Sequence, residues 1–256
     1  SFGYGRSHAF CQAAPLGSIF KIISAYSALK VLYKKNPNDL NPFTFYDTVR
    51  FDPKVKKKGS LVVGYLDKKI PIPRFYKGGR MPKSHSPYIG EINLDEALEQ
   101  SSNPYFSLLA TEILEDSEDL INSALDFGFG QKTNIDLPLE FKGNLPTDLH
   151  QNKTGLYSFA IGQHTLLATP LQTALMLSAL ANGGKLYKPE IIQSITGDER
   201  LKGLTKPLFL QDYAFKDLLS NVGVDFCLFT AKEHNQKESY LCESMPQVNN
   251  EIYLPE

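Results

Sequence analysis

The first strongly periodic apolar segment lies close to the start of the chain. Apolar side chains recur at helical spacing over residues 18–33, which predicts a helix of roughly four turns. The preceding Pro15-Leu16-Gly17 favours a helix start, and Lys34-Lys35-Asn36-Pro37 favours its end. Ser18 and Lys21 interrupt the apolar pattern in the first turn and, three positions apart, share one face of the helix.

The following segment has no helical period. Two runs rich in apolar and aromatic residues, Phe43–Phe51 and Ser60–Leu66, predict short strands. Prolines and glycines then recur over residues 67–92, which predicts an ordered but irregular loop or a lid.

Helical spacing returns at Asn93 and predicts three consecutive helices. The first is interrupted at Gln100-Ser101-Ser102-Asn103, and Pro104 fits the first position of the second helix. Ser117 is predicted to cap the third helix, which closes at Phe127-Gly128-Phe129-Gly130.

A loop-rich stretch over residues 131–158 is predicted to precede the last clear helix. Thr169 fits its N-cap, Pro170 its first position and Gly183 the position just past its end. The predicted close-packing face of this helix comprises Leu171, Ala174, Leu175, Leu177, Ser178 and Ala181.

Two strand-like runs come after this helix, at Lys185–Ile195 and Val224–Thr230. The clear helical signals end before them. We therefore expect residues 1–195 to form part of one domain and residues 196–256 to be a linking or inserted segment of it.

Composition narrows the range of functions. The 256 residues are 42% hydrophobic, enough for a core, and the net charge of -1 gives no reason to expect nucleic acid as a partner. Three cysteines and five histidines show no metal-ligand spacing, so neither a metal nor another cofactor is implied. The sequence also lacks an uninterrupted apolar run of membrane-spanning length and a signal peptide.

Ser18 and Lys21 have the chemistry of a nucleophile and its base. A hydroxyl needs a base to become a nucleophile, and a lysine packed against apolar neighbours has a lowered pKa. The alternative is that Ser18 caps the helix and Lys21 extends its ammonium to solvent.

Ser101 and Asn103 lie where one predicted helix ends and the next begins. There a serine is able to relay protons, and an asparagine amide is able to orient a lysine or hold a substrate amide. The alternative is that Ser101 or Asn103 only caps the second helix.

Taken together, these motifs resemble the transpeptidase domain of penicillin-binding proteins, of the class B (monofunctional) type. The resemblance covers residues 3–195 and rests on motifs in the family's order. They are Ser18-x-x-Lys21, Ser101-x-Asn103, Ile161-Gly162-Gln163, Thr169-Pro170-Leu171-Gln172 and Ala181-Asn182-Gly183-Gly184. It implies an α+β fold like that of serine β-lactamases and penicillin-binding-protein transpeptidases, here dominated by the helical part with an incomplete central sheet.

The resemblance also implies the roles of single residues. Ser18 would attack the D-Ala-D-Ala carbonyl of a peptidoglycan stem peptide, and Lys21 would take the hydroxyl proton. Ser101 would pass that proton to the leaving D-Ala nitrogen, while Asn103 would orient Lys21 and bind the substrate amide. The backbone N–H of Ser18 would supply half of the oxyanion hole. The implied substrate-binding residues are Ser102, Gln163 and Thr169.

The implied partners are stem peptides, β-lactams and other proteins of cell-wall synthesis. The implied location is the outer face of the bacterial cytoplasmic membrane, reached through an anchor outside this sequence. A β-lactam sensor or a degenerate, non-catalytic scaffold of the wall-synthesis complex is the alternative function. A β-lactamase is disfavoured, because no acid that would activate water is evident.

The sequence departs from the family pattern at three places. Leu16 is inserted in the usual Pro-Gly-Ser, and His164 stands where a glycine usually follows Gly-Gln. The third motif, Lys-Thr-Gly, is absent after Leu171. Lys153-Thr154-Gly155 has the right letters but precedes Ile-Gly-Gln, and it is interpreted as a surface loop. We therefore expect a fragment cut at both ends, poorly stable and nearly inactive by itself.

Overall fold

The computed structural model describes residues 7–55 and 61–191, together with the backbone of three later strands. The chain divides into two compact units. One unit comprises residues 13–130 and 143–168, and the other comprises residues 1–12, 131–142 and 169–256. The predicted division at residue 195 stays a prediction, since most residues beyond that position lie outside the described part of the chain.

The predicted first helix is present in the larger unit. A 3₁₀ turn over Gly17–Phe20 leads directly into helix α1, Lys21–Lys35, which ends at Asn36 in extended conformation. The Phe20 ring, fully buried, packs 4.8 Å from Phe159 and anchors this start in the core of the unit.

Between α1 and the next helix, the described residues form six strands. They are β1 (Phe45–Phe51), β2 (Leu61–Leu66), β3 (Ile70–Pro73), β4 (Phe75–Tyr76), β5 (Gly79–Arg80) and β6 (Tyr88–Ile92). Four of them form an antiparallel sheet in the order β3-β2-β1-β6, and β4 pairs with β5. The predicted strands correspond to β1 and β2, but the loop predicted over residues 67–92 is wrong. Two of the prolines that suggested a loop, Pro71 and Pro73, lie in β3, an edge strand, where a missing N–H is tolerated.

The three predicted helices are present, with different caps. They are α2 (Leu94–Glu99), α3 (Asn103–Leu108), which continues as a π-helical turn over Leu109–Ile113, and α4 (Ser117–Asp126). The hydroxyl of Ser102 caps α3, so Pro104 is its second residue, and neither Ser101 nor Asn103 is the cap. Asp116 caps α4 in place of Ser117, because its carboxylate accepts a backbone N–H from the first turn.

Replacing Asn93 with alanine is expected to destabilise the protein by about 1 kcal/mol. Asn93 forms a capping box with Glu96, in which each side chain accepts the other's backbone N–H, at 3.0 and 2.9 Å. Chemical denaturation measures the loss. Asn93→Ser is the matched control, because serine caps equally well, and equal stability of the two variants would contradict the prediction.

The loop predicted over residues 131–158 is also corrected. Helix α5, Lys153–Phe159, starts at the Lys-Thr-Gly sequence, and Asn152 caps it by accepting the Gly155 N–H at 2.7 Å. Lys153 is therefore the first residue of a helix, not a loop residue.

Helix α6, Pro170–Ala181, belongs to the other unit and begins and ends as predicted. Thr169 caps it in a capping box with Gln172, and Gly183 lies just past the end with φ of +83°. The predicted packing face is wrong, because the fully buried side chains are Gln172, Met176 and Ala179, whereas Leu177 is 47% exposed. A helix that is apolar on most sides has no face that periodicity alone identifies.

The described residues after α6 include four strands. They are β7 (Lys185–Tyr187), β8 (Phe209–Asp212), β9 (Cys227–His234) and β10 (Lys237–Ser244), paired as β7–β8 and β9–β10, both antiparallel. The predicted strand Lys185–Ile195 is thus limited to its first three residues, with residues 192–195 outside the described part. The run Val224–Thr230 overlaps β9, and residues 224–226 also lie outside that part. None of the described helices is both long and apolar enough to span a bilayer.

Candidate active site

Ser18 and Lys21 lie at the junction of the 3₁₀ turn and α1. The Ser18 side chain is exposed, while Lys21 is 2% exposed and extends into the unit. The two residues therefore have different environments although they lie one turn apart, with an accessible hydroxyl on Ser18 and a buried amine on Lys21. The alternative interpretation of Lys21 as a surface lysine is excluded by its burial.

The Lys21 ammonium is held by three oxygen acceptors from the α2–α3 junction. Nζ donates to the Ser101 carbonyl oxygen at 2.7 Å, to Ser101 Oγ at 2.8 Å and to Asn103 Oδ1 at 2.7 Å. The Phe106 ring lies 5.7 Å from the same nitrogen. All three ammonium protons thus have partners, which fixes the amine in one position.

Ser101 connects Lys21 to Ser18. Ser101 Oγ lies 3.2 Å from Ser18 Oγ, and among the described residues it is the hydrogen-bond partner of the Ser18 hydroxyl. The backbone of Ser101 is in the left-handed region, with φ of +54°. That conformation is uncommon for a residue with a side chain and is typical of functional sites, where the surroundings hold it in place.

The protonation of Lys21 is shifted towards neutrality. Burial lowers the pKa of Lys21 to about 8, and the nearby carboxylate of Asp47 opposes this shift. At pH 7 about one-tenth of the amine is therefore unprotonated, the form that is able to act as a base.

Two of the predicted substrate-binding residues, Ser102 and Thr169, have buried side chains, and their substrate-binding roles stay predictions. Ser102 is fully buried, and its hydroxyl donates to Asp47 at 2.6 Å and caps α3. Thr169 is 1% exposed and its hydroxyl caps α6. Both hydroxyls therefore cap helices. A capping role alone would also account for the presence of these residues in a helix-start motif of the sequence.

Gln163 is exposed and lies one residue after a close backbone contact. In this contact the Gly162 carbonyl accepts a hydrogen bond from the N–H of Gly17, the residue before Ser18, at 2.8 Å. His164 adopts φ of +67°, the conformation that explains the glycine usual at this position, and its ring lies 2.7 Å from Asp148. The substrate-binding role of Gln163 stays a prediction.

The sequence did not identify Asp47 as part of the site. It lies in β1, and its fully buried carboxylate accepts hydrogen bonds from Ser84 and Ser102, both at 2.6 Å. The signal in the sequence was a lone acidic residue in β1, which strand alternation places on the same face as Phe45 and Val49.

A family model described as the penicillin-binding protein transpeptidase domain matches residues 65–218, more than half of the chain. The chain belongs to this transpeptidase family. The predicted α+β fold of that type is confirmed, because solved penicillin-binding proteins share it. One is penicillin-binding protein A of Mycobacterium tuberculosis as a ceftriaxone acyl-enzyme, with 18% identity, a TM-score of 0.55, and 93% of this chain and 53% of that chain covered.

Another solved structure is the complex of a penicillin-binding protein with MreC from Helicobacter pylori. It matches with 24% identity and a TM-score of 0.52, covering 84% of this chain and 34% of that one. Among curated relatives, the peptidoglycan D,D-transpeptidase MrdA of Haemophilus influenzae is 34% identical over 116 residues, which are 42% of this chain and 18% of the relative. The chain spans roughly a fifth of the length of the curated relatives that it matches.

The transpeptidase match includes only part of the constellation. Ser101 and Asn103 lie inside residues 65–218, whereas Ser18 and Lys21 precede them. The geometry brings all four residues together in one unit.

Proposed function

We propose that this chain carries the acylation site of a serine D,D-transpeptidase that cross-links peptidoglycan stem peptides through a Ser18 acyl-enzyme. The observation that carries the proposal is the hydrogen-bonded series Ser18–Ser101–Lys21 within a transpeptidase domain. Asn103 accepts a further hydrogen bond from Lys21. An exposed hydroxyl connected to a buried amine of lowered pKa is the arrangement of an activated nucleophile.

The geometry favours a proton path through Ser101. The neutral amine of Lys21 has two protons and a lone pair, so its nitrogen is able to accept a hydrogen bond. Each hydroxyl is both donor and acceptor. Ser101 is then able to donate to Lys21, and Ser18 to Ser101. The Ser18 oxygen then attacks the carbonyl of the penultimate D-Ala as its proton moves along this path. In this proposal the proton reaches Lys21 through Ser101, whereas the family resemblance implied a transfer from Ser18 to Lys21.

The same path returns the proton. The tetrahedral intermediate carries an oxyanion, which the backbone N–H of Ser18, in the first turn of the 3₁₀ segment, is placed to stabilise. On collapse the C–N bond breaks, and the leaving D-Ala nitrogen takes the proton from Lys21 through Ser101. The amine of a second stem peptide then attacks the acyl-enzyme carbonyl and gives up a proton to Lys21 through Ser101. The bond between the acyl carbon and Ser18 Oγ breaks, the same path returns the proton to Ser18 Oγ, and the cross-link is formed.

The proposed partners and location are consequences of the same reaction. β-Lactams imitate D-Ala-D-Ala and acylate Ser18, in keeping with the solved relative that is a ceftriaxone acyl-enzyme. Peptidoglycan lies outside the cytoplasmic membrane, so we place the domain on its outer face, together with other wall-synthesis proteins. The complex with MreC, formed by a relative, is an example of such a partner.

The test is acylation of the complete gene product with a fluorescent penicillin. Tandem mass spectrometry of the tryptic peptide Ser7–Lys21 is expected to place the adduct on Ser18 rather than Ser7. A D-Ala-D-Ala donor peptide mixed with an amine acceptor is then expected to release D-Ala and form the transfer product. An adduct on another residue overturns the site, and acylation without transfer identifies the alternative β-lactam sensor.

A further inference from the structure

Asp47 is a buried carboxylate that the proposed reaction does not use directly. It lies in β1 at an irregularity of both ladders, facing Gly64 of β2 and Gly90 of β6. It is fully buried, and one of its oxygens, Oδ1, has no hydrogen-bond partner among the described residues. An uncompensated carboxylate oxygen in a core costs stability, so its presence requires a reason.

The other oxygen joins two segments of the site. Asp47 Oδ2 accepts one hydrogen bond from Ser102 Oγ and one from Ser84 Oγ, both at 2.6 Å. Ser102 lies between the two residues that hold Lys21, and Ser84 comes directly after Lys83 in the segment before β6.

Both segments meet at Asn103. Its Oδ1 accepts from Lys21 at 2.7 Å, and its Nδ2 donates to the Lys83 carbonyl at 2.9 Å. Ser102 precedes Asn103 in the chain, and Ser84 follows Lys83, whose carbonyl accepts from the Asn103 amide. A carboxylate that binds both serines therefore holds in place the two segments that position this amide. Hydrogen bonds to an ionised acceptor are the stronger kind, which suits this role.

Asp47 also acts on the charge of Lys21. Among the described residues, it is the ionisable group that shifts the pKa of Lys21, raising it against the effect of burial. The remaining groups that face the amine, Ser101, Asn103 and the Phe106 ring, carry no charge. Burial raises the pKa of Asp47, and the hydrogen bonds from Ser102 and Ser84 and the charge of Lys21 act against this rise.

We propose that Asp47 is a positioning residue of the acylation site, which clamps the Ser102 and Ser84 segments around Asn103 and places a negative charge behind the Lys21 amine. This inference rests on the proposed roles of Ser18 and Lys21. It assigns two separable effects to one carboxylate, namely geometry through Oδ2 and electrostatics through its charge.

Asp47→Asn separates these effects. The amide oxygen retains an acceptor for both serines, and the amide nitrogen takes the place of Oδ1, so the clamp is kept while the negative charge is lost. The pH midpoint of β-lactam acylation is expected to fall by about 0.5–1 unit, the scale of one nearby charge, with the high-pH plateau rate changed less than about threefold. Asp52→Asn is the matched control, since Asp52 is a carboxylate directly after the same strand and does not act on Lys21.

Asp47→Ala removes the clamp as well. Its plateau rate is expected to fall by about tenfold or more, because small displacements of catalytic groups are costly. The plateau rate of Ser102→Ala is expected to fall similarly. The double variant Asp47→Ala/Ser102→Ala is expected to be no slower than the slower single variant, since both substitutions remove the same hydrogen bond. Additive losses overturn the clamp.

A direct titration keeps this test independent of acylation. The pKa of Lys21 is measured in the complete gene product by NMR with [ε-¹³C]lysine, its resonance assigned by its loss in Lys21→Arg. A lower pKa of Lys21 in Asp47→Asn than in wild type and Asp52→Asn supports the proposal, and identical pKa values overturn it. A wild-type protein that is not acylated at Ser18 overturns the proposed function alone, and the Lys21 titration then still decides the electrostatic role of Asp47.

Discussion

Replacing Lys21 with methionine is expected to slow β-lactam acylation of Ser18 by about 10²–10⁴-fold, the usual contribution of a general base. Methionine fills similar space but accepts no proton, so the path Ser18–Ser101–Lys21 loses its end. Stopped-flow fluorescence with a labelled penicillin on the complete gene product measures the second-order rate constant. Ser18→Ala supplies the zero of this assay.

The acylation rate is expected to depend on pH through the protonation of Lys21. Since the base is the neutral amine and the pKa of Lys21 is about 8, the wild-type rate is expected to rise with pH and level off above that value. At pH 7 only about one-tenth of the amine is neutral, so the rate there is about tenfold below the plateau.

Lys21→Arg is the matched control for charge. Arginine keeps the positive charge and several donors but does not lose its proton, so it is expected to be as slow as Lys21→Met. A methionine variant that is folded and retains the wild-type plateau rate within fivefold would contradict the assignment of Lys21 as the base.

The sequence indicated the four residues of the constellation without their geometry. Periodicity placed Ser18 and Lys21 on one helix start, and Ser101 and Asn103 at a helix junction. The hydrogen bonds that connect them span 80 or more positions along the chain. Tertiary contacts at such separation leave no local pattern in the sequence, so periodicity and spacing could not predict the hydrogen bonds of Ser101 with Ser18 and Lys21.

Other features were missed for identifiable physical reasons. Proline signals conceal an edge strand such as β3, which does not need every N–H. Helix α5 is too short for an apolar period, so its capping residue Asn152 was the only local signal. Asp47 was overlooked because burial of a carboxylate depends on partners, here Ser84 and Ser102, that lie far away in sequence.

Ser102 shows how one motif serves two roles. A Ser-Ser-Asn sequence before Pro104 fits a helix cap and a catalytic motif equally well, and the structure uses both, with Ser102 as the cap and its neighbours at Lys21. The division of roles is a consequence of backbone conformation, since Ser101 is left-handed and Ser102 extended, which directs the two hydroxyls apart.

Replacing Gly162 with alanine is expected to lower the acylation rate by about 10²-fold and to destabilise the fold by roughly 2 kcal/mol or more. Gly162 has φ of +75°, and a Cβ atom there would overlap the Gly17 carbonyl oxygen and lie 2.8 Å from the Gly17 nitrogen. Backbone atoms cannot rotate away as a side chain does. The turn that carries Ser18 must therefore move, which lengthens the 3.2 Å contact between Ser18 and Ser101.

Gly78→Ala separates displacement from backbone strain. Gly78 also has positive φ, +89°, but a Cβ atom there meets nothing within 4 Å. Its variant is expected to lose about 1 kcal/mol of stability, the cost of the strained backbone, and to keep the wild-type acylation rate. If Gly162→Ala also kept that rate while folded, the backbone contact between Gly162 and Gly17 would not set the position of Ser18. The alignment of nucleophile and relay would then have to come from the Lys21 side of the site alone.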